Sequence, residues 1–293
     1  MDQIKVNDPV GRKSYGCDIF FKVLAIFTDD NGQEQAFLKG LDMRLMATAP
    51  VDDLCKLEPA QITAHWHNFM TKNHNQMKRI FQRRQQDQLK SLNRSVGLVN
   101  KIESFDVPGT VVHVDGDNDY LELCLTTYRQ LNIRAHGYSI EEDEQPEKIL
   151  AVLTKHRPDI LVLTGHDGLA KGARDFSDLN NYHNSKYFVA AIKIARQYEK
   201  SLDDLVIFAG ACQSYYEAIL EAGANFASSP KRILIHAFDP VFVVEKIAYT
   251  SIYDPIPIKD VIAGTITGFD GVGGIETKGK FRLGVPKTPY HNI

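Results

Sequence analysis

The chain has 293 residues, of which 43% are hydrophobic, and a formal net charge of −3. That content is enough for an ordinary soluble core, while the longest apolar runs are strand-sized, far below the roughly 18 residues of a membrane span. The charge offers no general attraction to nucleic acid, MDQIKVNDPV lacks a secretory start, and four scattered cysteines without a Cys-x-x-Cys pair fit a reduced compartment. A cytoplasmic protein is expected, with no membrane or nucleic-acid partner, no metal and no cofactor.

Residues 1–58 read as short strands between turns: VGRKSY, DIFFKVLAIF, QAFLKGLD and MRLMATAP, with Asn31-Gly32 as a hairpin signal. The run is about the size of a small SH3-like β-barrel. Residues 59–105 turn to Gln, Asn, Lys and Arg without an internal proline and predict a helical connector. Leu89, Leu92, Val96 and Val99 form a short apolar stripe, continued upstream only by Met77 and Ile80. Seven Lys and Arg fall between Lys72 and Arg94 against only Asp87, which reads first as a solvated helix face and less well as a nucleic-acid surface, since Phe81 is the lone aromatic there.

Beyond Pro108-Gly109 strand and helix alternate. TVVHVDGD precedes DYLELCLTTYRQLN, IRAHGYSI precedes QPEKILAVLTKH, DILVLTGHD precedes KYFVAAIKIARQYEK, and LVIFAGAC precedes YYEAILEAGA. Such units predict an α/β domain over residues 106–293, a mostly parallel sheet flanked by helices, with a glycine-punctuated strand pair in the tail from Gly268.

Two residues stand where chemistry collects in such a sheet, at the carboxyl ends of its strands. His166 follows ILVLTG, and Cys212, 46 residues later, follows LVIFAGA and precedes a helical stretch. A thiol beside a base and a helix N-terminus is a nucleophile, and histidine about fifty residues upstream of an Ala-Cys step is the arrangement of caspase-type endopeptidases. The plainer alternatives are a buried structural cysteine and a hydrogen-bonded strand-end histidine. In the catalytic reading Cys212 attacks a peptide carbonyl, His166 protonates the leaving amine, and backbone N–H groups of Cys212, Asp167 and Gly168 hold the oxyanion.

The segments RPDILVLTGHD, LNNYHNSKYFV, LVIFAGACQS, AGANFASSP and HAFDP, with the N-terminal VGRKSYGCDIFFKV, resemble the YabG family of sporulation-specific cysteine endopeptidases over nearly the whole chain. The resemblance implies a caspase-like peptidase domain with Cys212 and His166 as the matching catalytic positions. It further implies cleavage after basic residues, and substrates among spore coat and cortex precursor proteins in a sporulating cell. The chain departs from the wider caspase pattern, with Gly-Ala-Cys-Gln-Ser for Gln-Ala-Cys-x-Gly and His-Asp for His-Gly. A substrate guanidinium calls for a carboxylate. Asp239, at the end of RILIHAFDP, is the first candidate, equally readable as a turn residue before Pro240, and Asp167 is the second. If the chain cleaves after arginine, the connector's Arg79, Arg83 and Arg84 become candidate self-cleavage sites.

Weaker features read as structural. Asp115, Asp117 and Asp119 in VDGDNDY fit a strand-end turn capping a helix better than an EF-hand, which needs glycine at Tyr120 and glutamate at Thr126. His65 and His67 with Cys55 lack a fourth metal ligand, and Gly271, Gly273 and Gly274 do not open a helix as a nucleotide loop would. Two other functions compete: a glutamine-amidotransferase-like cysteine hydrolase, which normally has glycine where Ser214 stands and its histidine downstream, and a non-catalytic spore assembly module.

Overall fold

The computed structural model describes residues 3–95, 104–170 and 172–287, with side-chain surroundings through residue 87 in the first segment. Five short strands, β1 (Pro9–Arg12), β2 (Phe20–Thr28), β3 (Glu34–Gly40), β4 (Met46–Pro50) and β5 (Leu54–Lys56), form an antiparallel sheet in the order β4-β3-β2-β1-β5. The β2–β3 hairpin turns at Asn31-Gly32: Asp29 Oδ1 accepts from the N–H groups of Asn31 and Gln33, each at 2.9 Å, and Gly32 adopts the left-handed φ of 78° that only glycine takes cheaply. Val10, Phe21, Val23 and Leu38 form the core of this unit.

Helix α1 (Pro59–Ser95) follows without interruption for 37 residues. It is docked along the second unit. Phe69 and Ile80 are buried in that unit's core, each contributing about 2 kcal/mol by removal from water. The stripe from Leu89 through Val99 lies outside the described side chains.

The second unit contains β6 (Phe105–Val107), β7 (Val111–Asp115), α2 (Asn118–Gln130), β8 (Ala135–Ser139), α3 (Gln145–His156), β9 (Ile160–Thr164), α4 (Ser185–Tyr198), β10 (Val206–Ala209), α5 (Tyr216–Glu221), β11 (Phe226–Ser228), α6 (Asp239–Ala248), β12 (Pro255–Ile256), α7 (Ile258–Ile262), β13 (Val272–Gly274), β14 (Thr277–Lys278) and β15 (Arg282–Gly284). Its main sheet runs β13-β11-β10-β9-β7-β8 and is parallel except at β13. Burial on both faces explains the unbroken apolar strands. Ile160, Val162, Val206 and Phe208 face the core beneath α2 and α6, while Leu161, Leu163, Ile207 and Ala209 face the core beneath α3 and α4.

The tail differs from the expected strand pair. β13 adds to the main sheet beside β11, β14 pairs with β12, and β15 pairs with β6, so each short strand finds a partner elsewhere in the chain. Glycine-rich strands carry little side-chain information about register, which is why their local pattern misleads. No helix among the described residues is long and apolar enough to cross a membrane.

Candidate active site

Strand order reverses between β7 and β9, and the crevice at such a reversal is the usual ligand site of an open parallel sheet. The β9–β10 register pairs Leu163 with Ala209. His166 and Cys212 each lie three residues past that pair, and the Gly210 N–H donates to the Leu163 carbonyl at 3.0 Å, carrying the alignment beyond the strands. Asp115, which ends β7, is paired with Thr164 on the far side of the reversal.

His166 lies between two acids. Its Nε2 is 3.2 Å from Asp117 Oδ2, a charge contact without hydrogen-bond alignment, and its Nδ1 is 3.6 Å from Glu142 Oε1. Glu142 also accepts the His166 backbone N–H at 2.5 Å. Its carboxylate occupies the space where a Cβ on Gly116 or Gly165 would stand, so a side chain at either position would displace it. Burial alone would lower the His166 pKa, but Asp117 and Glu142 outweigh it and raise it to about 9. Asp117, pushed up by burial yet held down by His166 and Lys39, settles at about 2.

The histidine is therefore protonated in the folded protein across neutral pH. A raised pKa contributes stability that is complete below the ordinary value of 6.5 and is lost as pH rises through about 9. Urea titrations should show wild type losing about 3 kcal/mol more than His166→Gln across that window. Parallel profiles would mean that the imidazole is not clamped by the two acids.

Cys212 is fully buried. Its sulfur receives the Ile235 N–H at 3.4 Å. Burial raises the thiol pKa to about 11 against the opposing pull of the Ile235 N–H and Arg44, so the sulfur is a neutral thiol at neutral pH. Asp167, beside His166, ties their loop to the one that carries Cys212. One carboxylate oxygen accepts from the Ser214 hydroxyl at 2.8 Å and the Ser185 hydroxyl at 2.5 Å, and the other from the N–H groups of Asn184 and Gly168. Ser214 in turn accepts the Ala211 N–H at 2.8 Å, immediately before the cysteine. Of the three expected oxyanion donors, Gly168 is thus engaged by Asp167, while among the described residues no acceptor takes the N–H of Cys212 or Asp167.

A cavity of about 830 Å³ separates the two units beside His166, with Arg12, Phe37 and Leu45 on one wall and Asp167, His183 and Gln213 on the other. Asp167 reaches this cavity, but its oxygens already hold four donors. Asp239 does not line it. That carboxylate is fully buried and accepts from Thr267, the Ile266 N–H at 2.7 Å and the His236 N–H at 3.1 Å, the bonding of an interior turn. Asp117 caps α2 by accepting the Asp119 N–H at 2.9 Å, as the turn reading expects.

Along α1, Arg79 is exposed, whereas Arg83 and Arg84 bind Glu245 of α6. Glu142 and Arg44 are the site residues that sequence reasoning missed. Glu142 carries one weak signal, an acid just after a strand and before a helix, where a chain returns to the sheet crest.

The family model described as YabG peptidase U57 matches residues 5–286. The chain is also 38% identical over 288 residues, 97% of this chain and 98% of the relative, to the sporulation-specific protease YabG of Bacillus subtilis (strain 168). The crest histidine and cysteine thus sit in a chain whose likeness extends across both units and the helix between them, and the chain belongs to the YabG peptidase U57 family.

Proposed function

We propose that this protease is a cysteine endopeptidase of sporulating cells, with Cys212 as nucleophile and His166 as its acid–base partner. The observation that carries the reading is the shared crest: two residues 46 apart in sequence occupy equivalent positions past paired strands, and Asp167 ties their loops together. In the reaction the Cys212 thiol gives up its proton to solvent as the sulfur bonds to the peptide carbonyl carbon, and the oxyanion rests on the N–H groups of Cys212 and Asp167. The imidazolium of His166 gives its proton to the departing amine; water then attacks the thioester, the imidazole takes a proton from that water, and the departing sulfur regains its proton from solvent. Asp117 and Glu142 orient the ring and stabilise its charge, adding a pair of acids to the expected dyad.

The named relative supports a role in sporulation, and the family resemblance supports coat and cortex precursors as substrates, cleaved after arginine in preference to lysine. The same resemblance favours a caspase-like description of the main sheet and an SH3-like one of the N-terminal unit, which we assign to holding protein substrates beside the cavity. A cytoplasmic location fits precursors that are processed as the spore forms. The complete burial of Cys212 is what a non-catalytic assembly module would present, and this gives the rival reading its one specific support.

A peptide library digested by purified protein, with new termini mapped by mass, decides between them. Arginine before the new cut, at a rate about tenfold above lysine, is expected because a planar guanidinium pairs with a carboxylate in two places. No new termini, together with no Cys212 labelling by an arginyl electrophile after mild loosening of the fold, would leave the assembly module standing.

A further inference from the structure

The tight turn between β3 and β4 projects into the crest of the main sheet. The turn closes with the Gly40 N–H donating to the Leu45 carbonyl at 2.8 Å, and the Tyr120 hydroxyl contacts the carbonyls of Gly40 and Met43 at 2.7 and 2.6 Å. Lys39 beside it reaches Asp117 and Asp119. At its tip Arg44 is completely buried, although it belongs to the other unit. Its Nη2 and Nε lie 2.7 and 3.2 Å from Asp115 Oδ2, its Nη1 donates to the Ala237 carbonyl at 2.9 Å, and its guanidinium lies 5.1 Å from the centre of the Tyr120 ring.

Asp115 is held ready for such a group. Its Oδ2 also receives the Thr164 hydroxyl at 2.8 Å, and its Oδ1 the Asp117 N–H at 3.0 Å. An acid, a carbonyl and an aromatic face form a compact receptor for a guanidinium. The receptor adjoins the reacting groups: Asp115 ends the strand paired with the one that leads to His166, and Tyr120 packs edge-on against His166.

We propose that Asp115 is the base of the enzyme's arginine subsite and that Arg44 fills it as an internal pseudosubstrate, so that the structure is a self-occupied, resting form. The proposal rests on the cysteine-peptidase reading for its consequence in turnover, but the subsite itself is defined by guanidinium binding. It accounts for a nucleophile with no exposed surface in a chain that belongs to a peptidase family. It also explains why neither Asp167 nor Asp239 is free to receive a substrate arginine. When the turn withdraws, Asp115 is left as a buried carboxylate without its cation, which favours a substrate arginine and disfavours neutral side chains.

The test uses the full chain carrying Arg44→Ala, with Arg44→Gln as the alternative where the first does not fold. N-acetyl-arginine amide should raise the melting temperature of the Arg44 variant and leave wild type unchanged, while the neutral citrulline analogue does nothing to either. Adding Asp115→Asn should abolish the shift. Arginine peptides should be cut at least tenfold faster by the Arg44 variant than by wild type. A folded variant that ignores the arginine amide, or that cuts no faster than wild type, would overturn the proposal. So would failure of both variants to fold, since Arg44 would then be a structural ion-pair partner. Absence of cleavage by every variant counts against the peptidase chemistry, and the binding measurement still decides the subsite.

Discussion

Cys212→Ala is expected to lower peptide cleavage by at least about 10⁴-fold, because the proposed nucleophile is lost and the neighbouring Ser214 hydroxyl is already engaged by Asp167 and the Ala211 N–H. The fold should survive. The alanine deletes one sulfur, at a cost of about 1 kcal/mol, and leaves intact the connection that shapes the loop, Asp167 to Ser214 to the Ala211 N–H. His166→Ala should lose about 10³-fold, since water can replace a proton donor poorly but a nucleophile hardly at all. Cys17, Cys55 and Cys124 are controls of different kinds. The first two lie in the N-terminal unit and should be silent, whereas Cys124 contacts both Arg44 and the Ala237 carbonyl and should show a modest effect through that packing. Wild-type rates in Cys212→Ala would remove the proposed nucleophile.

Residues on regular elements were legible from sequence in proportion to how local their signals are. The β9 and β10 segments are apolar on both faces because the sheet is covered on both, so their ends, and with them His166 and Cys212, could be located without any structure. The carboxylates could not be sorted in the same way. Asp115, Asp117, Asp167 and Asp239 all look like strand-end or turn acids, yet one pairs with an arginine, one with the histidine, one staples two loops and one is sealed in an interior turn. These roles depend on partners between about 17 and 71 residues distant in sequence, a separation at which periodicity carries no information. Arg44 was invisible for the same reason. In MRLMATAP it resembles any basic residue near a strand end, and only the docking of one unit on the other buries it.

The basic stretch of α1 shows the same dependence on remote partners, and it leads to a second large effect. Glu245 on α6 is 1% exposed and accepts from Arg83 Nη2 at 2.6 and 2.7 Å and from Arg84 Nε at 2.8 Å. Arg84 also donates to the Leu131 carbonyl at 3.0 Å and lies over the Tyr249 ring. A run that reads as a solvated face is, at these two positions, the point where the connector is fastened. Glu245→Ala should therefore destabilise the protein by about 3 kcal/mol, less than a fully buried pair would lose because both guanidinium groups keep some access to water. Glu245→Gln, which preserves shape and one acceptor, should cost less. Once released, α1 is anchored on this side by Phe69, Ile80 and the buried Gln76, which donates to the Gly264 carbonyl, all N-terminal to Arg83, and its local opening should expose Arg83 and Arg84, with Arg79, to cleavage by trypsin and by active enzyme. Wild-type α1 should resist both under the same conditions. Urea unfolding and timed digestion measure the two consequences separately. A loss of stability below about 1 kcal/mol, with unchanged digestion, would show that apolar docking holds the helix and that the two arginines are incidental to it.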